Sequence, residues 1–399
     1  MYDCVTFRIV YYTHTAFLEP ALQLTRSISP RAELHVLLEV GPMAWQHGLF
    51  DVQRDEHLRG LVDGRRLLLE RFPPAVRDYW KGAASFQMVV HTANSSLHPA
   101  SWQVSREVVR FIRALRPSVV HFDDVDVSPR MALVSPLLAD APIVVSVHDP
   151  NPHLGEYPRR KDFARWLMFK RAQRFVLHHD YAKSDFKRRY KLPPERVHIV
   201  RFGAYDVFRS WLDERAHQDP RTVLFFGRLS PYKGLEVLYR AAPSVAREVP
   251  GVRFVIAGQA VAGYQLPVAP ALPNGGCFEM INGQVSNAHA ARLFARASVV
   301  VCPYVEASQS GVVLTAFAFE RPVVATRVGG LPEYVQDDVS GILVPPEDPQ
   351  ALAVGLIRVL KDASLQGRYR VGIAELVAGP LSWSRAADQL LSVYASAGA

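Results

Sequence analysis

Residues 224–234 read Leu-Phe-Phe-Gly-Arg-Leu-Ser-Pro-Tyr-Lys-Gly: an apolar run delivers a glycine, an arginine and a lysine just before a helix begins. Glycine lets backbone come close to a ligand, and a helix start offers unpaired N–H groups with a partial positive charge. A guanidinium grips phosphate oxygens with a fork of donors, and an ammonium adds a point charge. Gly227, Arg228 and Lys233 therefore read as a diphosphate site that needs no metal. A second segment, residues 303–316 (PYVEASQSGVVLTA), sets a polar loop with Ser-Gly ahead of an apolar helix. Glu306 can accept from hydroxyls there, while Gln309, Ser310 and the Gly311 amide can donate to a phosphate or sugar. The competing reading makes Ser310 a plain N-cap and Glu306 a solvated loop residue. Weaker signals are the Gly258-Gln259 turn, placed to approach a nucleotide, and the pair Gly329-Gly330 with Glu333 at the next helix start.

The first half of the chain offers fewer such residues. His148 follows the apolar run Ile143–Val147 and opens His148-Asp149-Pro150. The acids Asp123, Asp124 and Asp126 precede a helix start, where acids are favoured in any case, so acceptor contact there is the lesser expectation. His121 reads as a sheet-packing residue. His178-His179-Asp180 suggests a metal only superficially: adjacent residues on a strand point to opposite faces, so both rings cannot easily reach one ion, and no metal is assigned. Cys4, Cys277 and Cys302 are odd in number and widely scattered, which fits neither a disulfide framework nor a zinc site and points to a reducing cytoplasm.

Elements that would carry these residues alternate along the chain. Phe7–Tyr12, Glu33–Val40, Ser118–Phe122 and Ile143–Val147 read as strands in the first half, with a helix over Trp102–Leu115 and another capped by Ser128-Pro129. Residues 41–89 mix helical spacing with charge and read as an inserted helical excursion. In the second half the short apolar runs Val223–Phe226, Arg253–Ala257, Ser298–Cys302, Pro322–Ala325 and Gly341–Val344 alternate with helical spacing over Leu235–Val249, Asn287–Ala297 and Gln350–Leu360. Strands alternating with helices imply parallel sheets covered on both faces. Two such units, divided near Val207–Pro220, would be doubly wound α/β domains facing across a cleft, with ligands outside the carboxyl ends of the strands. The expected domains are 1–206, completed by 380–399, and 207–379.

The chain has 399 residues, 49% hydrophobic and 21% charged, which excludes disorder as a global description. No run approaches a membrane span, and the first residues carry no export signal pattern. The net charge of +8 is concentrated: residues 157–201 hold 14 Lys/Arg and four Asp/Glu, against 32 and 34 in the remainder. Charge alone would suit nucleic acid or an anionic membrane surface. Within that stretch, residues 158–171 (PRRKDFARWLMFKR) interleave cations with Phe163, Trp166, Leu167 and Phe169, a pattern that fits a helix lying on an anionic bilayer and equally a helix packed in the core. No nucleic-acid partner is assigned.

The order GRLSPYKG, PYVEASQSG, TRVGGLPE and SGILVPPEDPQAL resembles the carboxyl-terminal domain of family 4 glycosyltransferases, retaining enzymes of the GT-B fold. The resemblance runs strongly over Thr222–Leu352 and extends to Phe175–Gly203. Trp383–Tyr394 (WSRAADQLLSVY) is similar to the family's final helix, which crosses back to the first domain. It implies that Arg228 and Lys233 neutralise the donor diphosphate, that the loop at Ser310-Gly311 contacts donor sugar and distal phosphate, and that His148 faces the transferred sugar and acceptor. It also implies same-face attack, with the leaving phosphate taking the acceptor proton. The family carries two glutamates eight positions apart, the second on the nucleotide ribose; here Thr315, nine positions after Glu306, stands where the second is expected. The loop Thr13–Phe17 lacks the glycines often found after the first strand.

The expectation is a retaining glycosyltransferase using a nucleotide-diphosphate sugar as co-substrate, without metal, for a glycan, lipid-linked or small-molecule acceptor, as in polysaccharide biosynthesis. It is expected to be cytoplasmic, with the 157–201 patch available to the inner membrane face. The alternatives are a non-hydrolysing nucleotide-sugar epimerase and a non-catalytic binding partner. A dinucleotide oxidoreductase is disfavoured, because no G-x-G-x-x-G follows the first strand.

Overall fold

The computed structural model describes residues 7–42, 46–47, 49–51, 57–124, 128–138, 140–150, 159–212 and 217–398. Cys4, Asp126 and residues 157–158 of the basic stretch lie outside them. The chain forms two compact units: residues 1–178, 183–201 and 383–399 make the first, and residues 179–182 and 202–382 the second.

In the first unit the strands are β1 (Arg8–His14), β2 (Glu33–Val40), β3 (Gln46–His47), β4 (Phe50–Asp51), β5 (Gly60–Asp63), β6 (Ser85–Val90), β7 (Val119–Asp123), β8 (Ile143–Val147), β9 (Arg174–Leu177) and β10 (Val197–Ile199). Eight of them build one sheet in the order β10-β9-β8-β7-β1-β2-β6-β5, parallel except for β5, while β3 and β4 pair separately. The apolar runs are buried on both faces, as helical crossovers require: every residue of β7 and β8 is buried. The excursion expected over residues 41–89 is helical only in part. It carries the helix Gly64–Arg71 but also returns β6 alongside β2, because Ser85–Val90 is apolar enough to bury in the sheet. Ser128 stands at the predicted N-cap position but caps nothing; its hydroxyl donates to the buried Glu39 carboxylate. The closing helix, Trp383–Ala397, returns to this unit: the Tyr394 hydroxyl meets His121 Nδ1 at 2.6 Å, and Arg31 pairs with Asp388.

The second unit has β11 (Thr222–Phe226), β12 (Arg253–Gly258), β13 (Cys277–Asn282), β14 (Val299–Cys302), β15 (Val323–Thr326) and β16 (Gly341–Val344), all parallel, in the order β13-β12-β11-β14-β15-β16. Helices Leu235–Glu248 and Pro349–Lys361 bury Leu238, Val245, Leu352 and Leu356 against it. β13 escaped the sequence pattern because it is an edge strand whose residues are exposed or half-buried, so it carries no continuous apolar run.

Among its parallel strands each sheet reverses its order once, between β1 and β7 in the first and between β11 and β14 in the second. At such a switch point the two following loops run to opposite faces and leave a crevice at the carboxyl ends, where ligands of open α/β sheets bind. The residues singled out above as chemically capable stand mainly at these two places.

Candidate active site

In the second unit, β11 delivers Gly227 and Arg228 on one side of the switch point, and β14 delivers the loop 303–310 on the other. The Gly227 amide donates to the Ala257 carbonyl and the Leu229 amide to that of Gln259, so this turn lies along the end of β12. Gly258 makes the approach possible: at φ +150°, a Cβ there would sit 1.9 Å from the Gly227 oxygen. Its role in the described structure is thus to bring two backbone turns together. Arg228 is exposed and holds no ion pair among the described residues.

Residues Pro231–Lys233 form a single 3-10 turn, closed by Gly234 in the left-handed conformation (φ +72°), from which the helix Leu235–Glu248 starts. A Cβ on Gly234 would lie 1.9 Å from the Pro303 carbonyl oxygen, so only glycine lets this helix start meet the loop after β14. The Val305 amide donates to the Tyr232 carbonyl at 2.8 Å, tying the same two segments. Lys233 is half-buried, with Nζ 3.8 Å from the centroid of the Tyr304 ring. Burial pushes the neighbouring Cys302 thiol up to about 11, so it stays protonated.

Glu306 and Gln309 are half-buried on this loop, and Ser310 is buried at the start of the helix Gly311–Ala318. Ser310 occupies the N-cap position, yet its hydroxyl makes no cap; it meets the Tyr304 hydroxyl at 3.2 Å. The Thr315 hydroxyl donates to the Gly311 carbonyl of its own helix at 2.8 Å. The Gly329-Gly330 turn docks on this loop through the Gly330 amide and the Ser308 carbonyl. Glu333 is committed elsewhere: its two oxygens accept the backbone amides of Asp180 and Tyr181 at 2.9 and 2.8 Å.

At the switch point of the first sheet, Asp123 at the end of β7 accepts from the Thr13 hydroxyl and from His148 Nε2, both at 2.7 Å. His148 follows β8, its amide donates to Asp124, and the Phe17 ring stacks on it at 3.8 Å. Burial opposes the Asp123 charge, but His148 close by outweighs it and holds the carboxyl down at about 2. For His148 burial likewise works against the charged form, and the Asp123 carboxylate overcomes it and raises the imidazole above its ordinary value. Asp123, rated low from sequence, is therefore the partner that fixes the ring. The signal available was register: β7 and β8 are neighbours, with Asp123 opposite Ser146, two residues short of His148.

His178, whose Nδ1 donates to the Val200 carbonyl, lies 4.7 Å ring to ring from His148. Asp123, His148 and His178 bring ligand atoms within 4.8 Å of one another, the one grouping among the described residues able to offer a metal three donors. The Asp123–His148 hydrogen bond already uses two of those atoms on each other. His179 already belongs to the second unit and lies beside Gly330 there.

Two doubly wound parallel sheets, each with polar residues at its switch point and a last helix returning to the first, make up the GT-B architecture. A family model described as Glycosyltransferase Family 4 matches residues 66–204, and one described as Glycosyl transferases group 1 matches residues 220–362. The alpha-D-kanosaminyltransferase of Streptomyces kanamyceticus is 30% identical over 275 residues, 64% of this chain and 71% of that protein. A D-inositol 3-phosphate glycosyltransferase of a Nocardioides species is 30% identical over 324 residues, 73% of this chain and 70% of the relative. The fold is shared with Anabaena Alr3699/HepE, solved in complex with UDP and glucose, at a TM-score of 0.66 over 98% of this chain and all of that one, with 16% identity. The chain belongs to the family 4 glycosyltransferases. It is therefore a transferase, and the epimerase reading is set aside.

Proposed function

We propose that this chain transfers a sugar, with retention of anomeric configuration, from a nucleotide-diphosphate donor, and that it neutralises the leaving diphosphate with Arg228, Lys233 and the first amides of the helix Gly311–Ala318 rather than with a metal. One observation carries the reading: the two loops flanking the switch point of the second sheet supply both cations and that helix start. Breaking the anomeric bond puts positive charge on the sugar and negative charge on the diphosphate, and prearranged cations stabilise the latter most in the transition state. Gly227 admits the phosphates to the backbone, with Gly258 letting the next turn close against it, Gln309 and Ser310 donate to the distal phosphate or sugar, and Glu306 accepts from sugar hydroxyls. Thr315, turned onto its own helix, leaves the ribose without a carboxylate partner at that position.

His148 orients the transferred sugar and the acceptor, held by Asp123. The relative named for D-inositol 3-phosphate supports a hydroxylated ring as the acceptor class. The acceptor hydroxyl attacks from the face the diphosphate leaves, and its proton passes to the departing phosphate oxygen. The test is binding and turnover with the UDP, GDP, ADP and dTDP sugars. Arg228→Ala is expected to lower affinity for the nucleoside diphosphate far more than for the monophosphate, and to cut transfer at least 100-fold with the fold intact. Wild-type turnover in that variant overturns the assignment.

A second reading, that the protein works on an anionic membrane surface and takes a lipid-linked acceptor, is favoured by one patch. On the helix Arg159–Arg171, Ala164, Met168 and Phe169 pack inward, whereas Phe163 and Trp166 stay 60% and 52% exposed and stack on each other. Lys170 lies 3.9 Å over the Trp166 ring, and Arg188 and Arg189 are exposed on the next helix. Exposed aromatics among cations suit an anionic interface. No helix among the described residues is long and apolar enough to cross a membrane.

A further inference from the structure

The Lys233 side chain does not wave from its turn. Its Nζ sits between two tyrosines, 3.8 Å from the Tyr304 centroid and 5.1 Å from that of Tyr232. Tyr304 is 1% exposed and is held from several directions. Its hydroxyl meets Ser310 Oγ at 3.2 Å, and its carbonyl accepts from the Thr326 hydroxyl. The amide of the next residue, Val305, is bonded to Tyr232. An aromatic face carries negative charge density, so an ammonium over it is attracted, and more strongly where water is excluded. A free lysine must give up much rotamer freedom when it grips a ligand, and a lysine already held loses less of it on binding.

We propose that Tyr304 is a positioning residue for donor binding: its ring holds the Lys233 ammonium in place before the diphosphate arrives, and its hydroxyl ties that cation to Ser310 at the helix start. The inference rests on the reading of Lys233 as a diphosphate ligand. Tyr304 itself touches no phosphate; it acts through the lysine. The same ring thus links the two loops of the switch point, one carrying the cation and the other the helix amides, so that both parts of the anion site are registered to one rigid plate.

The experiment is a double-mutant cycle on the full chain, read as calorimetric affinity for UDP, GDP, ADP and dTDP, using the tightest of the four. Tyr304→Leu is expected to weaken binding about tenfold, or 1.4 kcal/mol, and Tyr304→Phe, which keeps the ring, less than threefold. In the Lys233→Met background, Tyr304→Leu should add nothing. If its effect is the same in both backgrounds, the ring merely packs the loop and the proposal fails, while the donor site stands. If Lys233→Met binds like the wild type, the diphosphate reading itself fails. Should the leucine variant not fold, phenylalanines carrying one, two or three fluorines at position 304 keep the shape while draining the ring face of charge. Affinity falling stepwise with fluorine is expected, and a flat series overturns the proposal.

Discussion

Gly234→Ala and Gly275→Ala make a matched pair that separates backbone strain from close approach. Both glycines are left-handed, at φ +72° and +71°. An alanine in that conformation costs about 1–2 kcal/mol at either position. At Gly275 a Cβ meets nothing within 4 Å, so that cost is the whole effect. At Gly234 the Cβ would stand 1.9 Å from the Pro303 oxygen and 2.9 Å from its carbonyl carbon. Carbon and oxygen approach no closer than about 3.3 Å in ordinary contacts, so helix start and loop must part by roughly an ångström. That movement pulls Lys233 off the Tyr304 ring, and a misplacement of about 1 Å costs on the order of 100-fold in rate. For a domain of this size each kcal/mol lowers Tm by about 2–4 °C. Gly275→Ala should therefore lose about 2–8 °C and keep wild-type nucleotide affinity. Gly234→Ala should lose clearly more, with kcat/KM down about 100-fold. Differential scanning fluorimetry with and without nucleoside diphosphate, followed by steady-state kinetics, reads both. Equal melting temperatures for the two variants, or wild-type kinetics in Gly234→Ala, would refute the reasoning.

Asp123→Asn should lower the His148 pKa from its raised wild-type value, because the carboxylate that most opposes burial is gone and only Asp124 and Asp149 still favour the charged ring, as NMR titration of the ring would report. In the wild type the raised His148 pKa contributes stability that is complete below 6.5 and lost as pH rises through the folded value, and the depressed Asp123 pKa contributes stability that is complete above 3.8 and lost as pH falls toward about 2. The melting-temperature gap between wild type and variant should thus be widest between about pH 4 and 6.5, and a gap independent of pH would contradict the pairing. For the exposed patch, Phe163→Ser with Trp166→Ser should abolish cosedimentation with phosphatidylglycerol vesicles while leaving turnover on soluble acceptors unchanged. Equal partitioning of the wild type to anionic and zwitterionic vesicles would remove the membrane reading.

The strands and helices that carry the site were largely legible, because their signals are short-range. Val223–Phe226 and Ile143–Val147 bury both faces and so read as continuous apolar runs, and Leu235–Glu248 shows its inward stripe at helical spacing. The exposed edge strand β13 and the mixed segment before β6 left no such pattern. At the level of single side chains, capping logic placed Ser128 and Ser310 correctly on the backbone but misjudged their hydroxyls, which turn to Glu39 and Tyr304. A buried carboxylate or phenol offers a hydroxyl a partner that no local rule can anticipate.

Taken alone, the order of residues determined that this protein is a tandem of doubly wound α/β units, and that a glycine, two cations and a Ser-Gly helix start form one chemical grammar. These are properties of neighbours within a few positions, where chain connectivity does the arranging. Only the tertiary structure decided which strands stand beside one another and hence where each sheet reverses. It brought Thr13 to Asp123, Asp123 to His148, His121 to Tyr394, and Lys233 onto Tyr304. Those partners lie 25 to 273 residues apart, or 71 for the lysine and its ring, and nothing in the spacing of such distant residues records that the packed core will close the chain around them.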